Sequence, residues 1–170
     1  ESGLQGGKSL KLRTLDKLVA EHAKFKDCNF VKIDTDGHDF DVLEGARGLI
    51  ESAKPTVLFE CDCFDNSNYF ELVQKTLERF FKAGYERVIV YDHLGHLFST
   101  FRLTAETQLR AALFYQLVSG ACYFDLLLLP KDNGFLESEY AYLANSVDGG
   151  TRDAARQGGK LLRAGLSDCD

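Results

Sequence analysis

The sequence predicts an α/β domain built on a mostly parallel sheet, with helices on both faces and an antiparallel hairpin at one edge. Three observations carry that expectation. Segments with strand and helix periodicity alternate along the chain. The strand segments Phe30-Val31-Lys32-Ile33, Thr56 to Glu60 and Tyr123 to Leu129 are near-continuous apolar runs, as in strands buried on both faces. Between Arg87–Tyr91 and His96–Phe101, the tetrapeptide Asp92-His93-Leu94-Gly95 reads as a hairpin turn.

Taken in order, Thr14 is a side-chain cap for a helix carrying Leu15, Leu18 and Val19 and running to about Phe25. The strand Phe30–Ile33 stops at Asp34-Thr35-Asp36-Gly37. Phe40, Leu43, Ala46, Leu49 and Ile50 then recur at helical spacing, with Asp39 and Asp41 in the first turn, where the helix dipole favours acids. Lys54-Pro55 ends that helix, and Thr56 to Glu60 is the second strand. Tyr69, Val73, Leu77 and Phe80 form the buried stripe of the next helix, closed by Gly84. After the hairpin come a helix from about Ala105 to Val118 and the strand ending at Leu129. Beyond Pro130 the pattern fades: Tyr140, Tyr142 and Leu143 suit a short helix, while Asp148-Gly149-Gly150 and Gly158-Gly159 punctuate a polar, peripheral tail over 131–170.

Composition bounds the function. A chain of 170 residues fits one domain. With 20 Lys and Arg against 26 Asp and Glu, the formal charge of −6 argues against gripping nucleic acid or anionic lipid through a broad basic field. Hydrophobic residues at 45% and charged residues at 27% exclude wholesale disorder. Five irregularly spaced Cys make a poor disulfide framework, and predict reduced thiols and a cytoplasmic protein. From Ala111 to Leu129 only Asp125 is charged, nearly enough length to span a bilayer. Gln116, Ser119 and Gly120 interrupt it and its periodicity changes, so it reads as helix then strand and no membrane contact is expected. The chain has no Met, even at position 1, which predicts that its natural start lies elsewhere.

In open α/β sheets ligands gather at the carboxyl ends of the strands. That rule selects Asp34-Thr35-Asp36-Gly37-His38-Asp39 after the first strand and Glu60-Cys61-Asp62 after the second. If the strands are neighbours, these acids and one imidazole share a crevice, and their repulsion must be offset by a cation, a cationic ligand, hydrogen bonds or protons. Singly, Asp39 and Asp41 read as helix-capping acids and Gly37 as a turn residue; Asp34, Asp36, His38 and Glu60 are selected jointly.

Several metal and nucleophile motifs fail. An EF-hand around Gly37 would need acids where Lys32 and Leu43 stand. His38-Asp39-Phe40-Asp41 is no zincin motif, and Cys61-Asp62-Cys63 is too closely spaced for a zinc knuckle. His93 and His96 lie on a turn without a third ligand and read as solvated loop histidines. No glycine-rich phosphate loop and no G-x-S-x-G elbow occurs. Asp34-Thr35-Asp36 does match the D-x-D of glycosyltransferases, whose paired carboxylates hold a divalent ion against a sugar nucleotide.

A longer run distinguishes these readings. Val31-Lys32-Ile33-Asp34-Thr35-Asp36-Gly37-His38-Asp39-Phe40-Asp41-Val42-Leu43-Glu44-Gly45-Ala46 resembles the central motif of the FkbM family of S-adenosylmethionine-dependent methyltransferases, roughly "hKIDhEGhEhxVLxGA" with h apolar. Arg13-Thr14-Leu15-Asp16-Lys17-Leu18 resembles the family's "TLDxL" segment, and Lys54-Pro55-Thr56-Val57-Leu58-Phe59-Glu60-Cys61 its "P.hhhE" strand. Asp36 and Asp39 are one methylene shorter than the family's Glu.

The resemblance spans about residues 10–130. It implies the C-terminal half of a Rossmann-like class I methyltransferase sheet, beginning just before the family's fourth strand. A glycine-rich turn and a ribose-binding acid would then lie outside this stretch, leaving it alone without most of the cofactor site and inactive. The implied activity is methyl transfer from S-adenosylmethionine to a hydroxyl of a small-molecule or glycan acceptor. It implies Asp34 and Asp36 on the cofactor, and His38, Glu60 or Asp36 as base or orienting group, since the unperturbed pKa of His suits general-base work. The competing classes are the metal-dependent glycosyltransferase and a non-catalytic α/β binding module.

Overall fold

The computed structural model describes residues 12–62, 68–104, 106–119, 123–131 and 138; the predicted helix around Tyr140 lies outside them, as does nearly all of the polar tail. Helix α1 spans Leu15–Glu21, followed by a single 3-10 turn, Ala23–Phe25, so the predicted first helix stops one turn early. Then come β1 (Phe30–Ile33), α2 (Asp39–Glu44), α3 (Arg47–Ala53), β2 (Thr56–Cys61) and α4 (Tyr69–Lys82). The hairpin strands β3 (Tyr85–Asp92) and β4 (Leu97–Arg102) follow, then α5 (Glu106–Ser119) and β5 (Phe124–Pro130). Residues 111–129 are thus a helix and a strand, and among the described residues no helix is long and apolar enough to cross a membrane.

The strand order is β1-β2-β5-β3-β4. Only β1 and β2 pair in parallel; β2–β5, β5–β3 and β3–β4 are antiparallel. The expectation of a mostly parallel sheet is therefore corrected, although the antiparallel edge hairpin stands where the turn sequence put it. The reason is the position of β5. It returns antiparallel between β2 and β3, so β3 points the same way as β1 and β2 without touching them. The carboxyl ends of β1, β2 and β3 and the start of β5 consequently share one edge of the sheet.

Helices on both faces is also corrected among the described residues. Every α-helix there contributes to one core, with Leu43, Ile50, Val73, Phe80 and Leu113 against Val57, Phe59, Val88, Val90, Leu126 and Leu128. The opposite face carries a smaller cluster of strand side chains: Ile89, Tyr91, Leu127 and Leu129, with Phe30, Leu58 and Leu97 packed on it. Alternate residues of the apolar runs go to opposite faces, so a run such as Leu126–Leu129 supplies both clusters.

The helix expected over Phe40–Ile50 breaks at Gly45-Ala46 into α2 and α3. The break is held by α1. Thr14 accepts the Lys17 N–H at 3.3 Å, as its capping role predicts. Asp16 donates its backbone N–H to Gly45 O at 2.9 Å, and its carboxylate accepts the N–H groups of Gly48 and Leu49 at 2.8 and 2.9 Å. A side chain from another helix thus supplies the cap that α3's own flanking residue, Ala46, cannot. The close approach explains two glycines. A Cβ on Gly45 would stand 3.2 Å from Thr14 Cβ, and one on Gly48 would stand 3.1 Å from the Asp16 carboxylate.

Asp16→Ala is expected to lower stability by about 1–2 kcal/mol, the worth of a charge-assisted helix cap. A lower urea midpoint with an unchanged slope would show it, and an unchanged midpoint would refute the cross-helix cap.

Candidate active site at the carboxyl ends of β1 and β2

Register places the acids. Glu60 of β2 lies directly opposite Asp125 of β5, and Asp125 lies opposite Tyr91 of β3. One residue beyond the last paired position of β1, Ile33 opposite Phe59, Asp34 comes level with Glu60. Paired residues share a face, so Asp34, Glu60, Asp125 and Tyr91 form a row across the sheet, on the face that carries Leu58, Ile89 and Leu127. Asp34 is half exposed and paired with Lys32 on the same strand, Nζ to Oδ2 2.7 Å.

Like charges directly opposite one another raise each other's affinity for protons. Burial first, then the charges of Asp39, Asp125, Asp34 and Asp62, push the Glu60 carboxyl up to about 7. A carboxyl poised there exchanges a proton near neutral pH, as a general acid or base must.

The loop before α2 is fixed from beneath. Asp39 is only 2% exposed. Its Oδ2 accepts the Thr35 N–H at 3.2 Å and the Thr35 hydroxyl at 3.0 Å, while Oδ1 accepts the Glu60 N–H at 3.2 Å. Asp39 is therefore more than a helix-capping acid: it latches the end of β1 to the end of β2. On the helix-covered side, Gln116 Nε2 donates to Cys61 O at 2.6 Å, and the Tyr69 hydroxyl donates to Gln116 Oε1 at 3.2 Å. These bonds tie α4 and α5 to the same strand end.

The remaining sequence candidates are on the exposed turn between β1 and α2. Asp36 is exposed and takes a left-handed conformation, φ +49°, followed by Gly37 at φ +93°; consecutive positive φ values throw the chain into the turn that the glycine permits. His38 follows on the same turn. Its side chain is 78% exposed and its Nδ1 lies 3.6 Å from Asp41 Oδ2, an exposed pair.

Two residues outside the sequence selection belong to this end of the sheet. Asp125 is one; its signal was a lone charge within an apolar run. The other is His93. The turn holding it is clamped by Asp92, whose Oδ1 accepts the N–H groups of Leu94 and His96 at 2.9 and 2.8 Å. Burial pushes the Asp92 carboxyl up, but these bonds and the His96 ring more than offset that and hold it below its ordinary value. His96 fits the solvated reading, half exposed with Nδ1 3.1 Å from Asp92 Oδ2. His93 corrects it: its Nδ1 is buried with no hydrogen-bond partner among the described residues, and its ring lies 5.9 Å from that of Tyr123.

Among the described residues, no three His, Cys, Asp or Glu side chains are grouped so as to hold a metal ion. A groove of about 580 Å³ follows β1 between Phe30–Ile33 and the apolar side of α1, with Asp34 and Thr35 also in its wall.

Residues 4–87 match the family model described as the methyltransferase FkbM domain. The match takes in Asp34, Asp39 and Glu60 and stops before His93 and Asp125. No curated protein and no solved structure matches the chain.

Proposed function

We propose that this chain, whose residues 4–87 belong to the FkbM methyltransferase family, serves S-adenosylmethionine-dependent methylation of an acceptor hydroxyl, on a sugar or a natural product. The observation that carries the reading is the row of carboxylates with Glu60 raised to about 7. The donor set fits a cationic ligand: burial first and then the neighbouring carboxylates raise Glu60, and a positive group placed on the row would relieve the part due to charge. S-adenosylmethionine, when bound, supplies an electrophilic methyl on a positively charged sulfur beside a charged amine.

The chain's own residues do the rest. Asp34, level with Glu60 and in the wall of the groove along β1, holds the cationic end of the cofactor, with Asp36 on the adjoining turn. Glu60, ionised above about 7, is the group that would take the acceptor hydroxyl's proton, while the cofactor, when bound, would supply the methyl carbon and keep the electron pair of its broken C–S bond as a neutral thioether. Asp39 fixes the Glu60 backbone through its N–H, so the carboxyl is presented from a rigid strand end. His38, exposed and paired with Asp41, has no part in this step. The cytoplasmic setting, the small-molecule acceptor and the division into a catalytic part over 10–130 and a tail over 131–170 belong to the same proposal.

The test is binding of S-adenosylmethionine to the full-length protein by calorimetry. Asp34→Asn is expected to weaken binding roughly tenfold, the worth of one charge-assisted contact. Unchanged affinity removes Asp34 from the site.

A further inference from the structure

Helix α5 is apolar on both its inner and its outer side, unlike a helix with one solvated face. Leu109, Ala112, Leu113 and Gln116 turn inward and are buried. Phe114, Tyr115, Leu117 and Val118 turn outward and, with Phe98 on β4, are each between 46% and 60% exposed. From Ala111 to Ser119 the helix carries no charge. The preceding Arg110 is held by Gln74 of α4, Nη2 to Oε1 2.9 Å.

The exposed groups form one patch. At 100° per residue, Ala111, Phe114 and Val118 share the middle of the outward side, with Leu117 and Tyr115 on its two flanks. Tyr115 stacks on Phe98, ring centroids 6.2 Å apart and planes 16° apart, so the patch continues onto β4, the last strand of the sheet. Phe98 in turn lies 4.8 Å from the ring of Phe124, which is buried. The patch is therefore backed by the core.

Its area and chemistry select the occupant. Three half-exposed aromatic rings leave about 100 Å² each in water, and Leu117 and Val118 bring the sum to roughly 500 Å². A contiguous apolar patch of that size marks an interaction site. Two such patches face to face bury about 1,000 Å² before their rims are counted, which reaches the range of specific interfaces. A patch without charges offers a different partner no charge pattern to match, but it matches itself about a two-fold axis. Helices that lie on membranes carry Lys and Arg beside the apolar side; α5 has none after Arg110, and the net charge of −6 opposes anionic lipid.

We propose that a second copy of this chain docks on the outer side of α5 and on Phe98, giving a two-fold symmetric dimer with Phe114 near its axis. The inference is independent of the methyltransferase reading, since α5 and β4 lie outside the residues that match the family model. The inner side of the same helix reaches the candidate site through the bond from Gln116 to Cys61 O, so the interface backs onto the strand end that carries Glu60.

The experiment is sedimentation velocity of the full-length protein between about 1 and 100 μM. The wild type is expected to run as a dimer at the upper end and to dissociate on dilution. Phe114→Glu and Phe114→Lys, each placing like charges across the axis, should weaken association at least 100-fold, and an equimolar mixture of the two should recover at least tenfold of that loss. Phe25→Glu, which changes an exposed aromatic near the opposite edge of the sheet, should stay within about twofold of the wild type. Phe114→Ala, weakening association about tenfold without adding charge, decides the matter if the charged variants do not fold.

A wild type that stays monomeric at 100 μM overturns the proposal, as does a dimer that Phe114→Ala and the charged variants leave intact. A monomer that sediments with phosphatidylcholine vesicles also overturns it and gives the patch to a membrane.

Discussion

Asp39→Ala is expected to cost about 3–5 kcal/mol of folding stability, the largest effect of any single substitution at this end of the sheet. The carboxylate is nearly inaccessible and receives three hydrogen bonds, from the Thr35 N–H, the Thr35 hydroxyl and the Glu60 N–H. Removing it leaves two backbone donors without partners, and the desolvation of each is then uncompensated. Asp39→Asn keeps one acceptor oxygen and should lose less. Against a total stability of about 5–15 kcal/mol for a domain, the alanine variant would sit near unfolding at moderate temperature. Urea titration reads it as a lowered midpoint with an unchanged slope. A midpoint equal to that of the wild type would mean that Asp39 does not join β1 to β2.

Glu60→Gln should leave the fold intact and lower the rate of methyl transfer about 100-fold or more, the contribution of a positioned general base. In the wild type the rate, followed as S-adenosylhomocysteine formed, should rise with pH through about 7 as Glu60 ionises. The variant should lose that limb. Stability should change with the opposite sign. Glu60 titrates at about 7 in the folded chain and at 4.5 in the unfolded one, so the folded state holds the extra proton between those values. Its favourable contribution is complete below about 4.5 and is lost as pH rises through about 7. Glu60→Gln, which never ionises, should therefore be more stable than the wild type above about 7, by roughly 1 kcal/mol after solvent screening of a half-buried group, and should show no such gain near pH 4. A Glu60→Gln protein with the wild-type rate and pH profile would remove Glu60 from the chemistry.

Much of this end of the molecule was legible in the sequence because its signals are local. The apolar run Val31–Ile33 ending in Asp34, and the run Thr56–Phe59 ending in Glu60, place both strands and their terminal acids. Gly84, at φ +94°, follows α4 as its helix-ending role required. What the sequence left out depends on partners distant along the chain. Nothing within Phe124–Pro130 says that this strand inserts antiparallel between β2 and β3, and the pairing of Glu60 with Asp125 follows from that insertion alone. The break between α2 and α3 is likewise enforced by Asp16 from another helix. By position Asp39 reads as a capping acid, because an N-terminal Asp on a helix has a sufficient local explanation; its burial and its bonds to Thr35 and Glu60 show the longer-range latch. The chemistry of His38 singles it out in the sequence, and its side chain is exposed beside Asp41, whereas His93 reads as a solvated turn residue and carries a buried nitrogen.

The most direct test of the central claim is calorimetric titration of the full-length protein with S-adenosylmethionine on either side of neutrality. A cationic cofactor on this carboxylate row should bind, and bind more tightly at about pH 8 than at about pH 6, because Glu60 gains its charge between them. Absence of binding at both, together with manganese-dependent binding of a sugar nucleotide, would contradict the account and move Asp34-Thr35-Asp36 to the glycosyltransferase reading.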